Sequence, residues 1–239
     1  MILAILQARA SSTRLPGKVL LPLAGAPMIL RQIERVRRAA RIGRLVLATS
    51  VDPSDDELAR VVAQAGIAVH RGDLDDVQAR FIGALDAHGP ADHIVRLTGD
   101  CPLADPAVID ATIDHVVAEG ADYGSNTPPH RTLPKGLDVE VMTAAALRAA
   151  AARAATPEER EHVTWALHRR PDLYRQAFFS QAAEEGAVRW TVDFPHDYEF
   201  VTAVYDALYP ANPAFTSDDV RAFVRARPDL ATVGGERRI

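Results

Sequence analysis

Apolar runs of strand length alternate along the chain with stretches in which apolar residues recur every three or four positions. Residues 2–6, 45–50, 67–70 and 93–97 have the length of buried strands, and each runs into a polar or glycine-containing turn. Between the first two, Ile29, Ile33, Val36 and Ala40 fall at spacings of four, three and four, which predicts one face of a helix. Residues 55–65 and 77–88 repeat that pattern. Strand, helix, strand, helix in this order is the sequence form of a parallel sheet covered on both faces, whose ligands bind where the strands end.

Asp105-Pro106 supplies an N-cap and a helix-compatible first residue, so a helix is expected over 106–117. The texture then changes. Residues 123–126 read as short and extended and 127–135 as a loop with three prolines. Leu137, Val139 and Val141 alternate with Asp138, Glu140 and Met142 as a half-buried strand does. Helices are expected over 144–155, 158–169, 195–208 and 217–225, and further strands over 174–179 and 188–192. With no repeat, low-complexity linker or domain boundary, residues 1–239 read as one domain, with about 160–187 as an arm projecting from it.

Composition narrows this picture without redirecting it. With 239 residues, 48% hydrophobic, the chain can bury a sizeable core. No window approaches a membrane span and no basic n-region precedes the first strand, so the chain reads as cytoplasmic. The single cysteine, Cys101, excludes an internal disulfide and a multi-cysteine zinc site. A net charge of −5 argues against nucleic acid as a partner, and Arg31, Arg35, Arg37, Arg38, Arg41 and Arg44 read as a mostly solvated helix face. An anionic ligand therefore requires cations concentrated in one place.

They are concentrated after the first strand, in Gln7-Ala8-Arg9-Ala10-Ser11-Ser12-Thr13-Arg14-Leu15-Pro16-Gly17-Lys18. This is not a Walker A loop, which would need Gly at Ser12 and a hydroxyl at Val19. Backbone amides over 10–13, the Arg14 fork and the Lys18 point charge suit phosphate oxygens, although a plain polar surface loop fits the spacing equally well. The fourth strand delivers Arg96-Leu97-Thr98-Gly99-Asp100-Cys101-Pro102. Asp100 reads either as a turn cap or as a Mg²⁺ ligand, and Asp193 has the same strand-end, pre-proline context. HExxH, GxSxG and GxGxxG are all absent, and Cys101 beside Asp100 is a poor nucleophile. What is left is an electrostatic site without a covalent nucleophile, the profile of phosphoryl or nucleotidyl transfer.

Five motifs occur in order: the 6–18 stretch, 96–103, Pro134-Lys135-Gly136-Leu137-Asp138-Val139-Glu140, Arg160-Glu161-His162-Val163-Thr164 and Thr191-Val192-Asp193. Together they resemble the cytidylyltransferases of the spore-coat polysaccharide type, relatives of the CMP-sialic acid and CMP-Kdo synthetases. The resemblance implies an α/β nucleotide-diphospho-sugar transferase fold, Rossmann-like and GT-A-like, with a mixed, mostly parallel sheet flanked by helices. It implies transfer of CMP from CTP to the hydroxyl of a small acidic, sugar-like acceptor, with pyrophosphate released and Mg²⁺ as cofactor. Arg14, Lys18, Asp100 and Asp193 would be catalytic, with Asp100 and Asp193 on the metal. Leu6, Gln7, Ala8, Arg9, Arg71, Thr98 and Gly99 would join Arg14 and Lys18 around the nucleotide. Asp76, Arg80, Asn126, Lys135, Asp138, Glu140, Glu161 and His162 would face the acceptor, with Asp138 and Glu140 as candidate general bases. Asp75 or Asp76 reads equally well as a helix cap. The relatives also imply a homodimer, and two departures from them: Ser11 where Gly is usual, and Lys135 where an acid is common. Same-fold alternatives are a sugar 1-phosphate nucleotidylyltransferase or a glycosyltransferase; a different class is a non-catalytic nucleotide-binding protein.

Overall fold

The computed structural model describes residues 1–127 and 129–239. Its first strand, β1 (Ile2–Gln7), is apolar at every buried position and lies inside a seven-stranded sheet. On one side β1 pairs in parallel with β4 (Arg44–Ser50), which pairs in parallel with β5 (Ala68–Gly72). On the other side it pairs in parallel with β6 (His93–Thr98). Beyond β6 come β8 (Glu140–Thr143), the one antiparallel strand, then β7 (Tyr123–Ser125) and β9 (Gln176–Phe178). A separate antiparallel ribbon is formed by β2 (Pro22–Leu23) and β3 (Ala26–Pro27).

Alternation along β1 assigns its two faces to different helices. Ala4 and Leu6 pack on the side of α1 (Met28–Val36), α2 (Asp56–Gln64) and α4 (Pro106–Ala118). Leu3 and Ile5 face α3 (Val77–His88), α5 (Ala144–Arg153) and α7 (Trp165–Arg169). A third apolar cluster, centred on Trp190, gathers α8 (Pro195–Leu208) and α9 (Ser217–Arg225) against the loops at one end of the sheet. The helices expected at 77–88, 195–208 and 217–225 have those bounds.

Several local expectations are corrected. The helix after β3 ends at Val36 rather than at Ala40, where the Asp110 carboxylate takes the Ala40 and Arg41 N–H groups instead. Arg35 is not on a solvated face: it is buried, with its guanidinium over the Phe215 ring and Nε donating to Ala104 O. The helix expected at 158–169 is two pieces, α6 (Pro157–Glu161) and α7, because the chain leaves helical geometry at His162 and turns Val163 and Leu167 into the core. The strand expected at 188–192 forms no ladder: Trp190 and Val192 donate to Lys135 O and Asp100 O, and Arg189 to Arg237 O, so its partners are three separate segments. β8 begins only at Glu140, since the Asn126 side chain takes over the pairing of Leu137 O and Val139 N–H. The loop expected at 127–135 includes Pro128, which lies outside the described residues. Within the segment read as an arm, Val163 and Leu167 are buried and β9 is hydrogen-bonded to β7, so 163–178 lies against the sheet.

The C-terminal segment is fastened by one buried carboxylate. Asp197, in the first turn of α8, accepts from the N–H groups of Asp193 and Phe194 and from the guanidinium groups of Arg189 and Arg238. Burial alone would push its carboxyl up. Those hydrogen bonds outweigh burial and hold it far below the ordinary carboxylate range. Asp197 therefore contributes stability that is fully present above the unfolded-state value of about 4 and is lost as pH falls below it. Asp197→Asn is expected to cost about 3 kcal/mol at neutral pH, read as a lower urea midpoint with an unchanged slope, and to flatten the acid limb of the stability profile.

Candidate active site

The parallel register places Gln7 beside Thr98 at the carboxyl ends of β1 and β6. Just beyond, the Gly99 N–H donates to Gln7 O at 2.8 Å, and a Cβ on Gly99 would stand 2.6 Å from the Ala8 Cβ. Only glycine lets the two strand ends approach this closely. A cavity of about 360 Å³ opens above them, at the switch point where successive connections leave β1 in opposite directions. Gln7, Ala8 and Arg9 from the end of β1, and Thr98, Gly99 and Asp100 from the end of β6, form its floor.

The loop after β1 forms one wall, with Ser12, Thr13, Arg14 and Lys18 on the cavity. It is pinched at its base: Gly17, at φ +68°, donates its N–H to Ala10 O at 2.9 Å, and Ala10 N–H donates to Asp55 Oδ1 at 2.6 Å. The Ser12 N–H is also taken, by Ala10 O. An anion nest made of all the amides over 10–13 is therefore not what this loop offers; its side chains are.

Lys18 is the centre of the charge cluster. Its buried ammonium donates to Val192 O at 2.7 Å, Asp193 Oδ1 at 3.0 Å and Asp100 Oδ2 at 3.2 Å. Arg14 donates to the same Asp193 oxygen at 2.7 Å and lies over the Phe194 ring. The other Asp193 oxygen accepts from Arg189 at 2.9 Å, with the Lys135 ammonium 4.0 Å away. Burial raises the Asp193 carboxyl, but the bonds from Arg189 and Lys18 and the charge of Arg14 outweigh it and hold it below its usual range. Thr98 Oγ1 orients Asp100 by donating to Oδ1 at 2.7 Å. Among the described residues no cluster of three or more His, Cys, Asp or Glu side chains stands ready for a metal. Asp100 and Asp193 are instead two carboxylates sharing one cation, Lys18. Hard oxygen donors of that number match what Mg²⁺ takes from a protein when phosphate oxygens and water complete its shell.

A second cavity, of about 250 Å³, adjoins the first across Thr98. Arg96, Tyr123, Asp138, Glu140, Thr164 and His168 are on its walls. Glu140 pairs with Arg96 and accepts from the Tyr123 hydroxyl at 2.7 Å. Burial raises its carboxyl, and the Arg96 charge with the surrounding donors brings it below the usual range. The Tyr123 hydroxyl is pushed well up by burial and by Glu140. Asp138 is bound by Arg131, at 3.0 Å for Nη2 to Oδ2. Cys101 is buried and its thiol is pushed well up, by burial first and Asp100 second, so it is no nucleophile.

The residues expected at the site divide clearly. Gln7, Ala8, Arg9, Arg14, Lys18, Thr98, Gly99, Asp100 and Asp193 meet at the main cavity, and Asp138 and Glu140 at the second. Leu6 is a core residue beneath the floor. Arg71 is turned away, donating to Ser50 O and Asp52 O and pairing with Asp56. Arg80, expected beside Asp138 and Glu140, lines the main cavity rather than the second. Asp76 is the N-cap of α3, accepting from Ala79 N–H and pairing with Arg160. Asn126 spends its amide on Leu137 and Val139. Glu161 and His162 are exposed at the break between α6 and α7, and the next turn sends Thr164 and His168 inward in their place. Arg96, Tyr123, Thr164, His168, Arg189 and Asp197 escaped the sequence reading as site residues. Arg96 left a signal: a charge inside the apolar run His93-Ile94-Val95-Arg96-Leu97 requires a buried partner.

Comparison with known proteins bears on the family and the fold. The cytidylyltransferase family model matches residues 3–211. The spore coat polysaccharide biosynthesis protein SpsF of Bacillus subtilis is 34% identical over 238 residues, covering 97% of each chain. A 3-deoxy-manno-octulosonate cytidylyltransferase of Bradyrhizobium is 36% identical over 148 residues, 60% of this chain and 58% of that one. Among solved structures, a cytidylyltransferase from Leptospira borgpetersenii superposes with a TM-score of 0.89 at 26% identity, covering 96% of this chain and 95% of the other. CMP:2-keto-3-deoxy-manno-octonic acid synthetase complexed with CTP shares the fold, at a TM-score of 0.63 and 17% identity over 85% of this chain and 97% of its own. By the extent of the family match and the full-length relative, the chain belongs to the cytidylyltransferase family and is an enzyme of that class.

Proposed function

We propose that the protein transfers CMP from CTP to the hydroxyl of a small acidic, sugar-like acceptor, with release of pyrophosphate and Mg²⁺ as cofactor. The observation that carries this reading is the convergence of Lys18, Arg14, Asp100 and Asp193 in the main cavity, which the second adjoins at Thr98. The first cavity has cations for a triphosphate. The second has paired acids and hydroxyl groups for a polyhydroxylated acceptor, and the exposed Lys135 beside Asp193 favours a negatively charged one. The relatives whose names specify 3-deoxy-manno-octulosonate make a sugar acid the natural acceptor class.

In the reaction the acceptor oxygen bonds to the α-phosphorus, the bond to the bridging oxygen breaks, pyrophosphate leaves with that electron pair, and the hydroxyl proton passes to water. Arg14 and Lys18 exchange their carboxylate partners for phosphate oxygens and take up charge as pyrophosphate departs. Asp100 and Asp193, released from those cations, would hold Mg²⁺, which when bound supplies Lewis-acid polarisation and charge neutralisation. Arg189 and the Asp197 network keep Asp193 ionised and fixed in place. Glu140 is held below its usual carboxyl range by Arg96 and Tyr123, which suits it to accepting acceptor hydroxyls rather than to removing a proton.

Pyrophosphate release measured with each of the four nucleoside triphosphates, Mg²⁺ and a panel of sugar acids is expected with CTP alone and only when an acid acceptor is present. A preference for UTP or GTP would rule the reading out. Asp100→Asn and Asp193→Asn are each expected to lower kcat by about 10²-fold or more at limiting Mg²⁺, with a native dichroism spectrum in both and a lower thermal midpoint for Asp193→Asn, whose carboxylate is buried among three cations. Full activity of Asp193→Asn under those conditions would remove it from the metal site.

A further inference from the structure

We propose that Arg238 is a positioning residue for Asp193: it fixes Arg189, and the Arg189 guanidinium in turn aims the Asp193 carboxylate into the main cavity. The inference rests on the assignment of Asp193 to the metal and adds what holds that carboxylate in place. Arg189 Nη2 donates to Asp193 Oδ2 at 2.9 Å and to Asp197 Oδ2 at 2.8 Å, while its Nε donates to Asp197 Oδ1 at 3.1 Å. The planar fork is thus set by Asp197, and Asp193 takes the Nη2 corner that the two carboxylates share. Arg238, 49 residues further along the chain, grips Arg189 at both ends. Its Nη1 donates to Arg189 O at 2.8 Å, and its Nη2 donates at 2.9 Å to Asp197 Oδ1, on the carboxylate that sets the fork.

Residues 188–192 form no strand ladder, so Arg189 is oriented by separate contacts rather than by a sheet. Arg238 supplies two of them and is itself anchored. It is wholly buried, with its N–H on Ala231 O and its carbonyl on Trp190 Nε1, both at 2.9 Å, and its guanidinium over the Phe200 ring. A buried ion pair is costly to desolvate, and an apolar side chain of similar volume in its place is often as stable. Trp190 and Phe200 belong to an apolar cluster in which a methionine can pack. A guanidinium at this position therefore serves the geometry of Arg189 more than the stability of the core. On the proposed reaction Arg14 and Lys18 leave Asp193 Oδ1 for phosphate, and among the described residues Arg189 is then the nearest cation to that carboxylate. The alignment of Arg189 then decides where Asp193 Oδ1 points.

The test follows Mn²⁺ by paramagnetic resonance, in the presence of inorganic tripolyphosphate, in the full-length wild type and in Arg238→Met, Arg238→Lys, Asp193→Asn and Val224→Ala, and measures pyrophosphate release by the same proteins with CTP and the acid panel. Arg238→Met is expected to weaken Mn²⁺ and to lower kcat by about 10- to 100-fold, as loss of a residue behind a metal ligand commonly does, with tripolyphosphate affinity and the KM for CTP unchanged. Val224→Ala takes packing from the same apolar cluster without touching the network, so it lowers the thermal midpoint and leaves Mn²⁺ and kcat as in the wild type. Combined with Asp193→Asn, Arg238→Met is expected to add no further loss, because it acts through that carboxylate. Arg238→Lys keeps a cation beside Asp197 without the fork; it should show the same loss and decides the matter if the methionine variant does not fold. Wild-type Mn²⁺ affinity and kcat in a folded Arg238 variant would overturn the inference, as would a loss that adds in full to that of Asp193→Asn or that Val224→Ala reproduces at an equal thermal midpoint. Mn²⁺ retention that depends on both Asp193 and Arg238, with no pyrophosphate release across the acid panel, would sink the acceptor assignment and leave the positioning role standing. Mn²⁺ retention indifferent to Asp193→Asn would sink the metal assignment and this inference with it.

Discussion

One ammonium group holds the site together. Lys18 Nζ reaches a carboxylate after β6, a carboxylate before α8 and the backbone carbonyl next to the latter, so it ties an N-terminal loop to segments 82 and 175 residues away. A buried cation needs this many acceptors, and each acceptor needs the cation. The loop after β1, the end of β6 and the turn before α8 can therefore only settle together. The pinched loop base at Gly17 and Ala10 and the close approach at Gly99 bring them within reach of one another.

The same interaction prepares the chemistry. The Asp100 and Asp193 carboxylates neutralise Lys18 and Arg14, and those cations with Arg189 keep Asp193 ionised. Behind Asp193 the partners are permanent. Arg189 bridges it to Asp197, whose remaining acceptor capacity is filled by Arg238 and two backbone N–H groups. The front of the cluster can thus exchange partners while its back stays rigid, as electrostatic catalysis by pre-placed charge requires. This division also places the C-terminal residues in the service of the site, because Arg238 is wholly buried against the first turn of α8.

The sheet distributes the work in space. β1 is central, with β4 and β5 to one side and β6 and β8 to the other. The main cavity lies over the β1–β6 junction, with Arg80 of α3 on its wall. The second cavity lies over β6, β8 and β7, where the antiparallel direction of β8 brings Glu140 beside Arg96. Thr98 belongs to both cavities and also orients Asp100, so the two cavities are joined at a residue of a strand end.

The amino-acid order alone determined the elements and the chemistry of the loop. Apolar runs, caps and periodicity identify β1, β4, β6, α3, α8 and α9 because each of those signals is local. Arg14, Lys18, Asp100 and Asp193 were legible because cations and acids clustered at strand ends stand out from an acidic chain with no nucleophile motif. Tertiary structure decided which of these residues meet. It turned Arg71 onto backbone carbonyls, brought Arg80 to the wall of the main cavity, made Asp76 a helix cap, and placed Thr164 and His168 on the second cavity where Glu161 and His162 were expected. Nor could spacing reveal Asp197 and Arg238, which are separated by 41 residues and joined only by packing. Local patterns fix backbone geometry within a few residues, whereas the pairing of buried charges is settled by the whole set of partners available in the folded chain.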